Sequence, residues 1–379
     1  MFREIWTWTI GGRVARKLKS DRVLFITTIL LVGLSVVMVY SASAVIMMEK
    51  FQRPYLFLTK QAMWAAMGTV VLGIVMRVDY HHYKQPIVIW TCLACVGFAL
   101  VAVLFAPPVN HARRWFAMGG LGIQPSELAK LAAIFFLADT LARRMHRIND
   151  LQYSLLPIGI VIGGIVGLIL LEPDFGTSVS LVLIAVTMIF AAGLNYRYIL
   201  GAALGAFPAV AFLVMGTAYR RQRVMTFLDP SRDPLGAGFQ VIQSTIAVGT
   251  GGVFGKGLMN GVQKLFYLPE PHTDFIYSVI SEELGLIGAT AVVLCFAVIT
   301  WRGLRVALRA PDTFGALLAL GLTTMMAVQA FFNISVALGL LPTKGIPLPF
   351  LSFGGSSLLI NLLGMGILLN VSQQSSSTA

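Results

Sequence analysis

Between Leu268 and Gly288 the chain reads LPEPHTDFIYSVISEELGLIG, which puts four carboxylates, a histidine and two prolines at the mouth of an otherwise apolar helix. A carboxylate within reach of a hydroxyl can act as a general base, and oxygen ligands can instead hold a divalent cation. Pro269 and Pro271 keep the approach extended, Thr273 can cap, and a helix is expected from near Asp274. Residues 274, 278, 281 and 282 then share a face, with Asp274 at the rim and Glu282 inside, about 12 Å further along at 1.5 Å per residue. The helix dipole favours acids in a first turn, so Asp274 alone also suits a capping role. Glu270, His272 and Asp274 crowded within five residues favour a functional one.

Two other clusters bring ionisable residues into apolar runs, where a charge at a helix centre costs at least about 2.5–3.5 kcal/mol and usually faces a cavity or a partner. QPSELAK begins a helix at Pro125 with Glu127 and Lys130 three residues apart on one face. These two form either a self-neutralising ion pair or a lysine that meets a substrate phosphate while the acid orients it. LEPDFGT ends one helix near Glu172 and starts the next; an outer hairpin with both acids in water is the favoured reading there. LPTKGIPLPFLSFGGSSLLIN carries three prolines, Lys344 and a turn with Ser356 into the last helix. It suits an anion or a close-approaching sugar, and equally a tight packing corner.

The elements that must position these residues are membrane helices. Of 379 residues, 57% are hydrophobic and 12% charged, and mean hydropathy is +0.82, far from the mix of soluble domains. The first apolar run is long enough to span, follows a basic arm and lacks a cleavage site, so it is expected to stay. Cys92, Cys95 and Cys295 lie in apolar runs and read as core packing rather than a redox or metal set. Ten spans can be drawn, at 23–46, 56–76, 86–106, 125–142, 154–171, 176–194, 198–217, 277–300, 314–338 and 353–371. With the N-terminus inside, the loops holding Arg77, Lys84, Arg143, Arg144, Arg147, Arg197, Arg302, Arg305 and Arg309 face the cytoplasm, and so does the C-terminus. The fold expected is an all-α polytopic membrane protein of a single domain: a cytoplasmic basic arm over 1–22, a long extracytoplasmic loop over 218–276 between the seventh and eighth spans, and a disordered cytoplasmic tail over 372–379.

The remaining cations fall outside. Arg113 and Arg114 lie in one outer loop, and Arg220, Arg221, Arg223, Arg232, Lys256 and Lys264 in the long one. They either meet headgroups on a loop that translocates regardless of charge or converge on an anionic ligand such as a diphosphate. Within the long loop, two Asp-Pro pairs mark turns, and the glycine-peppered stretch VIQSTIAVGTGGVFGKGLMNGVQK is too broken to span. It reads as re-entrant or interfacial over a wet cavity.

Taken in order, RRW…QPSELAK, EPDFGT, FLDPSRDPLGAGFQVIQS, LPEPHTDFIYSVISEELGLIG and LPTKGIPLPFLSFGGSSLL resemble the SEDS proteins (shape, elongation, division and sporulation), from about Asp21 to Asn370. TKGIPLPF is closer to the cell-division branch than to the rod-elongation branch. The resemblance implies ten helices with both ends cytoplasmic in the bacterial inner membrane. It also implies a peptidoglycan glycosyltransferase that polymerises lipid II, with undecaprenyl-diphosphate-linked glycan as the growing strand. The essential aspartate of the family falls on Asp274, and the acid and lysine of its QPSE motif on Glu127 and Lys130. Phe266, Ser231 and Arg232 depart from the pattern, so roles argued for those positions do not transfer. The implied partners are a class B penicillin-binding protein, which is a single-pass transpeptidase, and other division membrane proteins; no nucleic acid is expected.

On this reading Asp274 is the base for inverting transfer. Lys130, Arg113, Arg114, Arg221 and Arg223 stabilise the departing diphosphate. His272, Glu282, Lys344 and Ser356 complete the substrate-binding set. No cofactor is required by the sequence; a divalent cation such as Mg or Mn, held by Asp274, is the alternative division of labour. A lipid II flippase and a non-catalytic division scaffold are the rival functions.

Overall fold

In the computed structural model, which describes residues 20–107, 113–118, 121–216, 218–234, 236, 238–265, 267–343 and 345–374, the apolar runs form helices. They are α1 (Arg22–Phe51), α2 (Leu56–Val75), α3 (Pro86–Val103), α4 (Pro125–Arg144), α5 (Leu156–Leu171), α6 (Phe175–Ala191), α7 (Tyr196–Met215), α8 (Ala218–Leu228), α9 (Phe239–Thr250), α10 (Ile276–Arg309), α11 (Thr313–Ala337) and α12 (Gly355–Gln374). One short antiparallel hairpin, β1 (Phe116–Met118) with β2 (Leu121–Ile123), departs from an all-helical chain. Local chemistry sets the helix starts. Asp21, Asp174 and Asp312 each accept hydrogen bonds from the first-turn amides of α1, α6 and α11, and Pro86 and Pro125 open α3 and α4, where a missing N–H costs nothing.

Counting α5 together with the helical turn Leu151–Leu155 that precedes it, seven helices among the described residues are long and apolar enough to cross a membrane, and α6 is a shorter apolar one. Twenty-residue α4 carries Glu127, Lys130 and Asp139. The chain is a multi-pass membrane protein. Helices α11 and α12 form the centre: α11 packs against α4, α6 and α10, α12 against α2, and α1 against α2 and α10. Small residues permit this. A β-carbon at Gly303 would come within 2.2 Å of Thr323 Oγ1, so the close crossing of α10 and α11 requires glycine there. Outer helices instead expose Trp90, Phe98, Ile160, Phe207 and Phe212, the surface a bilayer would cover. Cys92 and Cys295 are half-buried and pack against the hydrophobic core as expected, whereas Cys95 is exposed.

Both ends of the described chain lie on one face, where the Asp21 N–H donates to Ser372 Oγ at 3.1 Å and Arg302 pairs with Asp21 at 3.5 Å. Helix α12 continues to Gln374, past the start expected for the tail; the rest of the tail, and nearly all of the basic arm, lie outside the described residues.

The long loop between α7 and α10 contains α8, α9 and an irregular glycine-rich segment. That segment docks on a break in α10, where Gly285 leaves helical geometry at φ 67°, ψ −165°. Here the Lys256 and Gly257 amides donate to the carbonyls of Glu282 and Glu283, both at 3.0 Å, and the Leu286 amide donates to the Gly252 carbonyl at 2.9 Å. Backbone groups released by the break thus find partners in the loop, the condition for irregular chain at membrane depth.

Candidate active site

Asp274 sits in the turn before α10 rather than in its first turn as the sequence pattern suggested, because the helix starts at Ile276. Three consecutive carbonyls fix that turn. The His272 carbonyl accepts from the Phe353 amide at 2.8 Å, the Thr273 carbonyl from Ser352 Oγ at 2.6 Å, and the Asp274 carbonyl from Asn333 Nδ2 at 2.9 Å. Ser352 Oγ also accepts from the Leu348 amide at 2.8 Å, and Asn333 Nδ2 also donates to the Ile346 carbonyl at 2.9 Å. The turn that carries the aspartate is therefore clamped from two sides, by Ser352 and Phe353 of the LPTKGIPLPFLSFGGSS stretch and by Asn333 of α11.

The carboxylate itself accepts no hydrogen bond from the described residues. A β-carbon at Gly345 would lie 3.6 Å from Asp274 Oδ2, so the bare backbone of that loop flanks it. Burial and then the negative charge of Glu270 push the Asp274 carboxyl up to about 7, while Arg223 and Arg114 pull it down and Asp174 adds to the rise. Two arginines from distant segments thus act on one aspartate. Arg223, on α8, donates to the Thr343 carbonyl at 2.9 Å. Arg114 donates to the carbonyls of Glu172 at 3.1 Å and Pro173 at 2.7 Å.

His272 is buried beside Phe57 and Phe353, with ring centroids 4.8 and 5.7 Å away, and Glu270 lies 3.5 Å from its Nε2. Burial, with a smaller contribution from Lys50, pushes the imidazole down to about 4, so it is neutral near pH 7. It packs the turn that carries Asp274.

The EPDFGT turn is not an outer hairpin in water: Glu172 and Asp174 are both buried. Asp174 accepts from Gln124 Nε2 at 2.9 Å, Thr177 Oγ1 at 2.8 Å and the Thr177 amide at 3.1 Å, tying the start of α6 to the start of α4. On α4, Glu127 and Lys130 are both buried and pair with each other at 2.7 Å, the self-neutralising alternative, which leaves Glu127 Oε2 without a partner among the described residues.

Other residues of the expected set lie elsewhere. Glu282 does not join Asp274. It is fully buried and accepts from Lys256 Nζ at 2.7 Å and from the amides of Val262 at 2.9 Å and Gln263 at 3.1 Å, because the glycine-rich segment wraps that part of α10. Neighbouring Glu283 accepts from Lys264 Nζ at 2.6 Å, Ser41 Oγ at 2.7 Å and the Met259 amide at 2.9 Å. Lys256 and Lys264 are thereby committed to structure. Arg113 is exposed and caps α3 by donating to the Leu104 carbonyl at 2.9 Å. Arg221 is exposed on α8. Ser356 lies buried in the first turn of α12, its Oγ without a partner among the described residues. Lys344 and Phe266 lie outside the described residues. Among the described residues no group of three or more His, Cys, Asp or Glu side chains is placed to hold a metal ion.

Residues 21–377 match the family of cell cycle proteins FtsW/RodA/SpoVE. The chain is 44% identical to a probable peptidoglycan glycosyltransferase FtsW of Geobacter sp. (strain M18), over 93% of this chain and 96% of that one. It is 42% identical to the stage V sporulation protein E of Bacillus subtilis (strain 168), over 95% and 99%. Its fold is similar to a chain from a peptidoglycan synthase complex that coordinates polymerization and crosslinking, with a TM-score of 0.77 and 31% identity over 93% and 97% of the two chains. It is also similar to the rod shape determining protein RodA of Thermus thermophilus, with a TM-score of 0.70 and 26% identity over 95% and 98%. With the full membrane domain matched in sequence and in fold, the chain belongs to the FtsW/RodA/SpoVE family, the SEDS proteins.

Proposed function

We propose that this protein is a peptidoglycan glycosyltransferase that polymerises lipid II into glycan strands for septal wall synthesis. Its relatives carry the name of that activity along nearly their whole length. The observation that carries the reading is the Asp274 carboxylate: clamped through its main chain, without a hydrogen-bond partner among the described residues, adjusted to about 7 and acted on by Arg114 and Arg223. A base with a pKa near the working pH combines availability with proton affinity.

Asp274 takes the proton of the acceptor's 4-hydroxyl as that oxygen attacks the anomeric carbon of the lipid-linked donor. The diphosphate leaves from the opposite face, so the α linkage becomes β and no carboxylate nucleophile is needed. Arg114 and Arg223 offset the charge building on the leaving diphosphate. The buried Glu127–Lys130 pair braces the start of α4 beside this centre.

Ten spans with both termini cytoplasmic fit the shared face of Asp21 and Ser372 and the basic loops. The active site then faces outward from the inner membrane. A class B penicillin-binding protein is the proposed partner, in keeping with the polymerization and crosslinking of the related complex.

Purified protein given labelled lipid II, with and without the transpeptidase, is expected to yield glycan ladders that vanish in Asp274→Asn. Translocation in liposomes without ladders would turn the assignment to a flippase, and retained partner binding without either activity to a scaffold. Full rates after exhaustive chelation would remove any role for a cation at Asp274.

A further inference from the structure

Glu172 follows the last residue of α5, is fully buried, and neither carboxyl oxygen has a hydrogen-bond partner among the described residues. A buried polar group without a partner is uncommon and, when ionised, costly. What makes the site unusual is that a cation is already present. Arg114 reaches the same turn, yet its Nε and one terminal nitrogen go to the main-chain carbonyls of Glu172 and Pro173, and it forms no ion pair with the Glu172 side chain. Asp174, the other acid of the turn, is saturated by Gln124, Ser126 and Thr177 and does not pair with Arg114 either. Neither acid of the turn forms an ion pair with the guanidinium through its side chain.

We propose that Glu172 is a charge-sparing positioning residue, a neutral acid that holds the turn under Arg114 while leaving the guanidinium charge for the diphosphate of the lipid-linked donor. This rests on reading Arg114 as a diphosphate ligand in the function proposed above. Glu172 accounts for the geometry in three ways. Its main-chain carbonyl docks the guanidinium, its side chain excludes water from beneath it, and its protonated form withholds a competing charge. The charged groups acting on it are Asp174 on its own turn and Arg114 from the irregular segment before β1; on α4, Glu127 and Lys130 pair with each other. Burial, then Asp174, pushes the Glu172 carboxyl up to about 8, against Arg114. The carboxyl is therefore mostly neutral at pH 7 and ionises as pH rises through about 8. Once ionised it can pair with Arg114 and cancel the charge.

The test is binding of undecaprenyl diphosphate to the full-length protein in nanodiscs from pH 7 to 9, with undecaprenyl monophosphate as the control for the lipid chain. Wild-type affinity for the diphosphate should fall about tenfold over that range, the scale of one charge-assisted hydrogen bond, and the fall should disappear in Glu172→Gln. An equal fall in both proteins, or none in wild type, overturns the proposal. Infrared spectra of wild type carrying 13C-labelled glutamate supply a second readout that needs no variant. A protonated-carboxyl band that fades through about pH 8 supports the assignment, and its absence at pH 7 overturns it. Neither readout requires polymerisation, so failure of the ladder assay would strike the proposed activity and leave the role of Glu172 to be judged separately.

Discussion

Asn333 Nδ2 lies 2.9 Å from the main-chain oxygens of both Asp274 and Ile346, so one amide on α11 joins the candidate base to the loop whose Gly345 flanks its carboxylate. Replacing it with alanine frees both carbonyls without touching any titrating group. Asn333→Ala is expected to lower kcat by about 10²-fold, the scale for displacing a catalytic group by about 1 Å, with a smaller effect on KM. Steady-state ladder kinetics would check this, and a kcat equal to wild type would remove Asn333 from the positioning framework.

As the proposed base, Asp274 must be ionised to act, so rates should fall as pH drops below about 7. Glu270 raises this carboxyl and Arg223 lowers it. The acid limb of the pH–rate profile should therefore move to lower pH in Glu270→Gln and to higher pH in Arg223→Gln. Shifts in the same direction for both variants would contradict the electrostatic assignment.

The same carboxyl has a stability cost. Its folded-state pKa is about 7 against an ordinary 3.8, so the native state binds the proton more tightly than the unfolded chain does, and stability declines as pH rises between those values. Asp274→Asn, expected to abolish ladders, also removes that cost. Its melting temperature in detergent should exceed wild type at pH 8 and converge with it toward pH 4. A variant that melts lower than wild type at pH 8 would show the carboxylate to be stabilising instead.

Glu283, Lys264 and Ser41 form a buried network between α10, the glycine-rich segment and α1. Lys264→Met strands a buried carboxylate and should destabilise the protein by about 3–5 kcal/mol. Lys264→Met with Glu283→Gln should recover much of the loss. Thermal unfolding in nanodiscs measures both, and equal destabilisation of the single and double variants would deny the coupling.

Much of this architecture was legible in the sequence, for particular reasons. Apolar length gave the helices, and Pro86 and Pro125 open α3 and α4 because a first-turn residue needs no N–H partner. Asp274 stood out by its crowded acids. Glu282 was misleading: helical spacing put it on the same face as Asp274, but periodicity carries no information on the loop that returns to cover that face with Lys256 and three amides of its own. Glu172 was discounted for a similar reason, since a turn between two helices reads as wet until the segment bearing Arg114 folds over it. Asn333 was missed, although an asparagine within an apolar helix is itself a signal of a membrane-buried partner.

The discontinuity at Gly285 divides α10 mechanically. The overlying loop is stitched to both sides of the break, to Glu282 and Glu283 before it and to Leu286 and Ile287 after it, and beyond these the long piece runs down beside α11. A tilt of the lower rod, whether from lipid thickness or from another helix leaning on it, has to be taken up below Ile287, where those bonds end. The proposed proton acceptor would then stay in register with the cap above it.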